Sequence, residues 1–149
     1  MVAMETQMTT NTGVVSFAAL IDQLSAEHAE LLPCTDKLLD VAAGAGPELR
    51  ETIESCLTKL QAPLEAHIAQ EDDILFPAYA RASGGDGLVA QFRDEHRDII
   101  ALRDELLTAL DHDDTRKLGT VAARLAELLG DHMRREDMML FPSARDALL

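Results

Sequence analysis

One eleven-residue pattern occurs twice in this chain and constrains the fold more than any other feature. HIAQEDDILFP at 67–77 and HMRREDMMLFP at 132–142 share the form H-x-x-x-E-D-x-x-L-F-P. Each copy follows a stretch carrying one further histidine, His28 in AEH and His96 in DEH. The separations are similar, 39 residues from His28 to His67 and 36 from His96 to His132. The repeating unit is therefore a hairpin, with a lone histidine on its first arm and a His/Glu pair on its second.

Both arms read as helices. Apolar residues recur at spacings of three, four and seven, as in Phe17, Ile21, Leu24, Leu31 and Leu38. Four helical stretches are expected: Ser16 to Ala43, a second from just after Pro47, a third from Leu88 to Leu110, and a fourth after the acidic turn Asp111–Asp114. Gly44–Pro47 and Ser83–Gly87 separate them. Pro63 and Pro77 fall inside the second stretch and predict a kink or local break at each. An aromatic content of 3 % and few β-branched residues suit packed helices better than sheets. Short connections between long amphipathic helices predict an all-α, antiparallel up-down-up-down four-helix bundle, built from two pseudo-repeated hairpins. Residues 1–14 are polar and aperiodic and read as a flexible tail; residues 15–149 make the single domain.

Helical phase decides what the histidines and glutamates do. Residues four apart lie on one face, so His67 and Glu71 reach one small volume, as do His132 and Glu136. His67 follows Leu60 and Leu64 on the apolar stripe, and Glu71 precedes Leu75 by four. His132 follows Leu125 and Leu128, and Glu136 precedes Leu140 by four. His28 lies between Leu24 and Leu31, and His96 between Phe92 and Ile99. All six polar residues thus occupy core positions. Burying a carboxylate without compensation costs many kcal/mol. An isolated His–Glu ion pair with one satisfied core histidine would explain one copy, but not two matched ones. Four imidazoles and two carboxylates suit two first-row metal ions. The expected ligands are His28, His67, Glu71, His96, His132 and Glu136. Both glutamates would bridge two iron ions, with an oxo or hydroxo bridge and a position left open. Zinc ranks second and manganese third.

A formal net charge of −14 repels phosphate backbones and anionic lipid, so no nucleic-acid or membrane partner is expected. The N-terminal sequence lacks a signal-peptide pattern and no apolar run approaches ~18 residues, which points to the cytoplasm. Cys34 and Cys56 read as reduced core residues, Tyr79, Met138 and Met139 as packing residues, and His112 as exposed. Of the acids beside the ligands, Glu27, Asp72, Glu95 and Asp137, some are expected to orient imidazoles and most to be solvated.

Together the six residues and the doubled motif resemble the hemerythrin-like, or HHE cation-binding, domain family over about Phe17 to Leu149. The resemblance implies a di-iron centre on those six residues. Oxygen-carrying members of the family have a further histidine four residues after the third-helix one. That position here is Ile100. Those members also end in H-x-x-x-x-D, and Asp137 stands at that spacing beside Glu136; the internal repeat favours Glu136 as the bridge. Losing one histidine leaves more than one exchangeable position. The resemblance then implies a protein that binds or reacts with O2, peroxide or NO in stress response or iron homeostasis, rather than a reversible O2 carrier. A metal- or redox-sensing module without turnover is the alternative.

Overall fold

The computed structural model describes residues 7–10, 13–44 and 46–149. Gln7–Thr10 (β1) and Gly13–Ser16 (β2) pair as a short antiparallel hairpin, with Gln7 opposite Ser16 and Thr10 opposite Gly13. The segment expected as an aperiodic tail is thus paired in its described part. Residues 1–6, 11 and 12 of that segment lie outside the described residues. The rest is helical.

Helix α1 spans Phe17–Ala42, and Ser16 caps it by accepting the Ala19 amide at 3.0 Å. Helix α2 is Pro47–Leu60 and α3 is Ala62–Gln70. The break between them, at Gln61, lies two residues before Pro63, where the sequence predicts an interruption. Arg103, buried on a later helix, donates to the Leu60 carbonyl at this break, 3.1 Å away. Helix α4 is Phe76–Ser83, closed by Gly84 in the left-handed region at φ 72°. Helices α5 (Asp86–Asp111), α6 (Thr115–Arg135) and α7 (Phe141–Leu148) complete the chain. Helix α6 packs on both α1 and α5, while α4 packs on α7.

Two single turns interrupt the α-helical register, Glu71–Leu75 between α3 and α4 and Glu136–Leu140 between α6 and α7. Both are π-helical. The Phe76 amide bonds the Glu71 carbonyl and the Phe141 amide bonds the Glu136 carbonyl, five residues back in each case. Each turn begins at the motif glutamate and ends before the motif Phe-Pro. Pro77 cannot donate to the turn behind it, and the Asp72 carbonyl there accepts Arg93 Nη2 at 2.8 Å instead. The expected disturbance at Pro77 is this extra-residue turn.

The interior divides in two. One apolar cluster gathers Leu31, Leu60, Leu64, Ile99, Leu125 and Leu129; the other gathers Leu24, Leu75, Phe76, Phe92, Leu140 and Phe141. On every long rod the motif residues fall between these sets. His28 lies between Leu24 and Leu31, His96 between Phe92 and Ile99, His67 and Glu71 between Leu64 and Leu75, and His132 and Glu136 between Leu129 and Leu140. A polar layer thus crosses an otherwise apolar core. Two packing expectations are corrected. Leu129 rather than Leu128 is the inward residue of α6. Met138 and Met139 are exposed, at 78 % and 50 %. The extra residue of the π turn is accommodated on the outer side, and Leu140 keeps the inward position.

Candidate metal centre

All six residues singled out from the sequence are buried, and Glu71 and Glu136 are fully so. They form two groups that share both glutamates. His28, His67, Glu71 and Glu136 offer ligand atoms within 4.8 Å of one another, as do Glu71, His96, His132 and Glu136. The Nε2 atoms converge. His28 Nε2 lies 3.1 Å from His67 Nε2 and 3.2 Å from Glu136 Oε1. His96 Nε2 lies 3.1 Å and His67 Nε2 3.4 Å from Glu71 Oε1. His132 Nε2 lies 3.1 Å from Glu136 Oε1 but is not aligned for a hydrogen bond.

Every imidazole is held from behind. Nδ1 of His28 donates to Asp137 at 3.0 Å, of His67 to Glu27 at 2.9 Å, of His96 to Asp72 at 2.8 Å and of His132 to Glu95 at 2.7 Å. A carboxylate accepts only, so the proton sits on Nδ1 and Nε2 faces the centre. Sequence reading expected most of these four acids to be solvated; instead each one fixes a ring. Asp137 is 30 % exposed on its side chain and bonds the back of His28, whereas Glu136 is fully buried and faces inward. The partnerships cross the repeat. Asp72 holds the lone histidine of the second half, His96, and Asp137 that of the first, His28. The motif phenylalanines follow suit: Phe76 stacks on His96 with ring centroids 5.5 Å apart, and Phe141 on His28 at 5.2 Å. The His, Glu, Asp and Phe of the repeated motif therefore all have a place in or around the centre, and neither half makes its pockets alone.

Charge is concentrated here. Burial opposes protonation of His67, but its bonds to Glu27 and Glu71 outweigh this and hold it up to about 10. His96 is likewise held up, against burial, to about 9 by Asp72 and Glu71. Burial and the neighbouring His96 charge push His132 down to about 4. Burial and the Glu71 charge push Glu136 well above the carboxylate range. Glu71 is held well below it, against burial, by the adjacent Glu136 acid group and by His67 and His96. Protonated His67 and His96 thus sit beside the Glu71 carboxylate.

Several buried atoms remain without a hydrogen-bond partner: Glu71 Oε2, His132 Nε2, and both Glu136 carboxylate oxygens. Unpaired buried oxygens of this kind are costly. Four imidazole nitrogens and two carboxylates, with spare inward lone pairs, fit two cations better than they fit one another. One wall of the centre also meets solvent. Glu27 and His67, with Glu30, Leu31, Lys59 and Pro63, line a cavity of about 70 Å³.

The other singled-out residues lie elsewhere. Ile100, where oxygen carriers have a histidine, is half-buried. Cys34 and Cys56 are both free thiols, and burial above all pushes Cys56 up to about 12. Tyr79 packs in the second apolar cluster, and His112 is exposed. No described helix is long and apolar enough to cross a membrane.

The description of the hemerythrin HHE cation-binding domain matches residues 16–144. The chain belongs to that family. No curated protein and no solved structure matches it.

Proposed function

We propose that this chain is a non-haem di-iron protein that binds or reacts with O2, peroxide or NO, in stress response or iron homeostasis. The helices form four antiparallel rods in up-down-up-down order: α1, α2 to α4, α5, and α6 with α7. His28, His67, Glu71, His96, His132 and Glu136 would hold the two ions, with Glu71 and Glu136 shared between both groups. The observation that carries the reading is the pair of buried four-residue groups sharing two glutamates, with carboxylate oxygens left unpaired. Iron is favoured over zinc and manganese because the donor set mixes imidazole and carboxylate in a helical core. Bound iron supplies a redox-active centre with positions for a small ligand.

The chain's own residues do the rest. Asp137, Glu27, Asp72 and Glu95 keep each imidazole in its ligating tautomer and raise its basicity. Buried Phe76 and Phe141 stack on His96 and His28 and cover those rings. Ile100 supplies no fifth imidazole, which speaks against a dedicated reversible O2 carrier.

Metal analysis with an optical spectrum tests the assignment. Two iron ions per chain with an oxo-bridge absorption band are expected, and Glu71→Ala with Glu136→Ala should abolish uptake. Native protein without metal, whose uptake the double substitution leaves unchanged, would refute it. Peroxide consumption by the iron-loaded protein, compared with His132→Ala, tests reactivity; equal rates remove the peroxide version. A sensing module is the second reading, favoured by the crossed partnerships of the two halves. It requires a large melting shift on iron binding and no turnover.

A further inference from the structure

The two halves of the centre present matching imidazoles to the same two glutamates, yet their surroundings differ. The repeat aligns His28 with His96 and His67 with His132, so Ser25 corresponds to Arg93, Gln70 to Arg135 and Pro63 to Leu128. In the first half the acids behind the rings meet only neutral donors. Glu27 accepts Gln23 Nε2 at 3.3 Å, and Asp137 accepts Ser25 Oγ at 3.2 Å. Gln70 meets Glu27 through Gln23, whose Nε2 it accepts at 3.4 Å. In the second half Arg135, at the position of Gln70, and Arg93, at that of Ser25, bring guanidinium groups to the acids. Glu95 accepts Arg135 Nη2 at 2.6 Å, closer than its bond to His132. Arg93 donates to the Asp72 carbonyl at 2.8 Å, with its Nε 3.9 Å from the Asp72 carboxylate. Asp131 offsets part of this by bonding Arg135 Nε at 2.8 Å. Lys59, at the cavity mouth, corresponds to Arg124, so that charge is common to both halves.

We infer that the two cation positions are unequal. With the protons the imidazoles give up discounted, the tighter position is that of His28 and His67 with the shared glutamates, and the weaker is that of His96 and His132 because of Arg135 and Arg93. The inference rests on the metal-centre reading above. A carboxylate behind an imidazole makes Nε2 a better donor. An arginine on that carboxylate withdraws the charge, and its own charge opposes a cation nearby. Access runs the same way. The solvent cavity reaches His67 beside Pro63, whereas the equivalent of Pro63 is the half-buried Leu128 in the unbroken helix α6. Arg135 and Arg93 are positioning residues: they act on the metal through Glu95 and Asp72.

Metal-depleted full-length protein titrated with Co²⁺ against a competing chelator tests this, with proton NMR of the half-loaded sample to show which imidazoles broaden first. Two steps are expected; followed from pH 7 to 9 and corrected for the protons each releases, the tighter belongs to His28 and His67. Arg135→Gln, which copies Gln70, should tighten the His96/His132 step about tenfold, the lower end of what outer partners of a metal ligand contribute. The mirror variant Gln70→Arg should weaken the His28/His67 step by a similar factor. Both positions are partly exposed, so both variants are expected to fold. A proton-corrected affinity that is higher at His96 and His132, or an Arg135→Gln variant whose His96/His132 step is unchanged or weaker, overturns the inference while two bound ions leave the function standing. No cobalt uptake at all overturns both.

Discussion

Metal uptake by this centre should be steeply pH-dependent, because cations compete with protons already in place. In the metal-free protein His67 is held up to about 10 and His96 up to about 9. Both are therefore charged at neutral pH, and both must lose a proton to offer Nε2 to a metal. At pH 7.5 this costs about 3 kcal/mol at His67 and about 2 kcal/mol at His96, using about 1.4 kcal/mol per pH unit. The combined cost lowers the apparent affinity of the filled centre by about four decades. Between pH 7 and 8.5 each pH unit should restore about a hundredfold, one tenfold for each proton released. His28 and Glu136, also raised, steepen the dependence further. The metal-free fold responds oppositely. His67 and His96, raised on folding, contribute stability that is complete below their unfolded value of about 6.5 and is lost as pH climbs through about 9 to 10. The metal-free melting temperature should therefore fall between pH 8 and 10. Chelator competition at pH 7, 7.75 and 8.5, with proton release read by an indicator dye in weak buffer, measures the first effect. Thermal melts of the chelated protein measure the second. A gain below tenfold per pH unit, or a metal-free melting temperature that rises toward pH 10, would refute this account of the charge in the centre.

Two substitutions probe the shell around it. Asp137→Asn keeps Glu136 but weakens the acceptor 3.0 Å from His28 Nδ1, and should reduce metal affinity about 10- to 100-fold in a competition titration; unchanged affinity would mean that Asp137 does not orient His28. Phe76→Ala removes a fully buried ring that also stacks on His96, and should cost about 3–5 kcal/mol in urea unfolding of the metal-free protein. A loss under about 1 kcal/mol would show that the second apolar cluster closes over the gap.

Much of the centre is legible in the chain. Helical periodicity fixes which way a side chain points relative to its own axis, and that was enough to bring His28, His67, Glu71, His96, His132 and Glu136 inward. The repeat added the decisive constraint, since one buried His/Glu pair has ordinary explanations and two matched pairs do not. Pro63 and Pro77 also announced their interruptions, because a missing amide is a local fact. Less legible were Met138 and Met139. Their outward position follows from a π turn, and nothing in the residue spacing distinguishes that turn from an ordinary helical one.

The apolar periodicity, the doubled H-x-x-x-E-D-x-x-L-F-P motif and the one histidine ahead of each copy determined the helices, the inward polar layer and the six residues that meet there. Only the tertiary structure decided who stands behind them. Asp72 and Asp137 each follow an inward glutamate by one residue, about 100° around the helix, and so point toward a neighbour. Whether that neighbour offers solvent or an imidazole depends on the rotation and height at which two helices dock. Those are set by packing across the whole core and not by any local pattern. The same docking put arginines behind one pair of histidines and neutral side chains behind the other, and made a repeated sequence into an uneven centre.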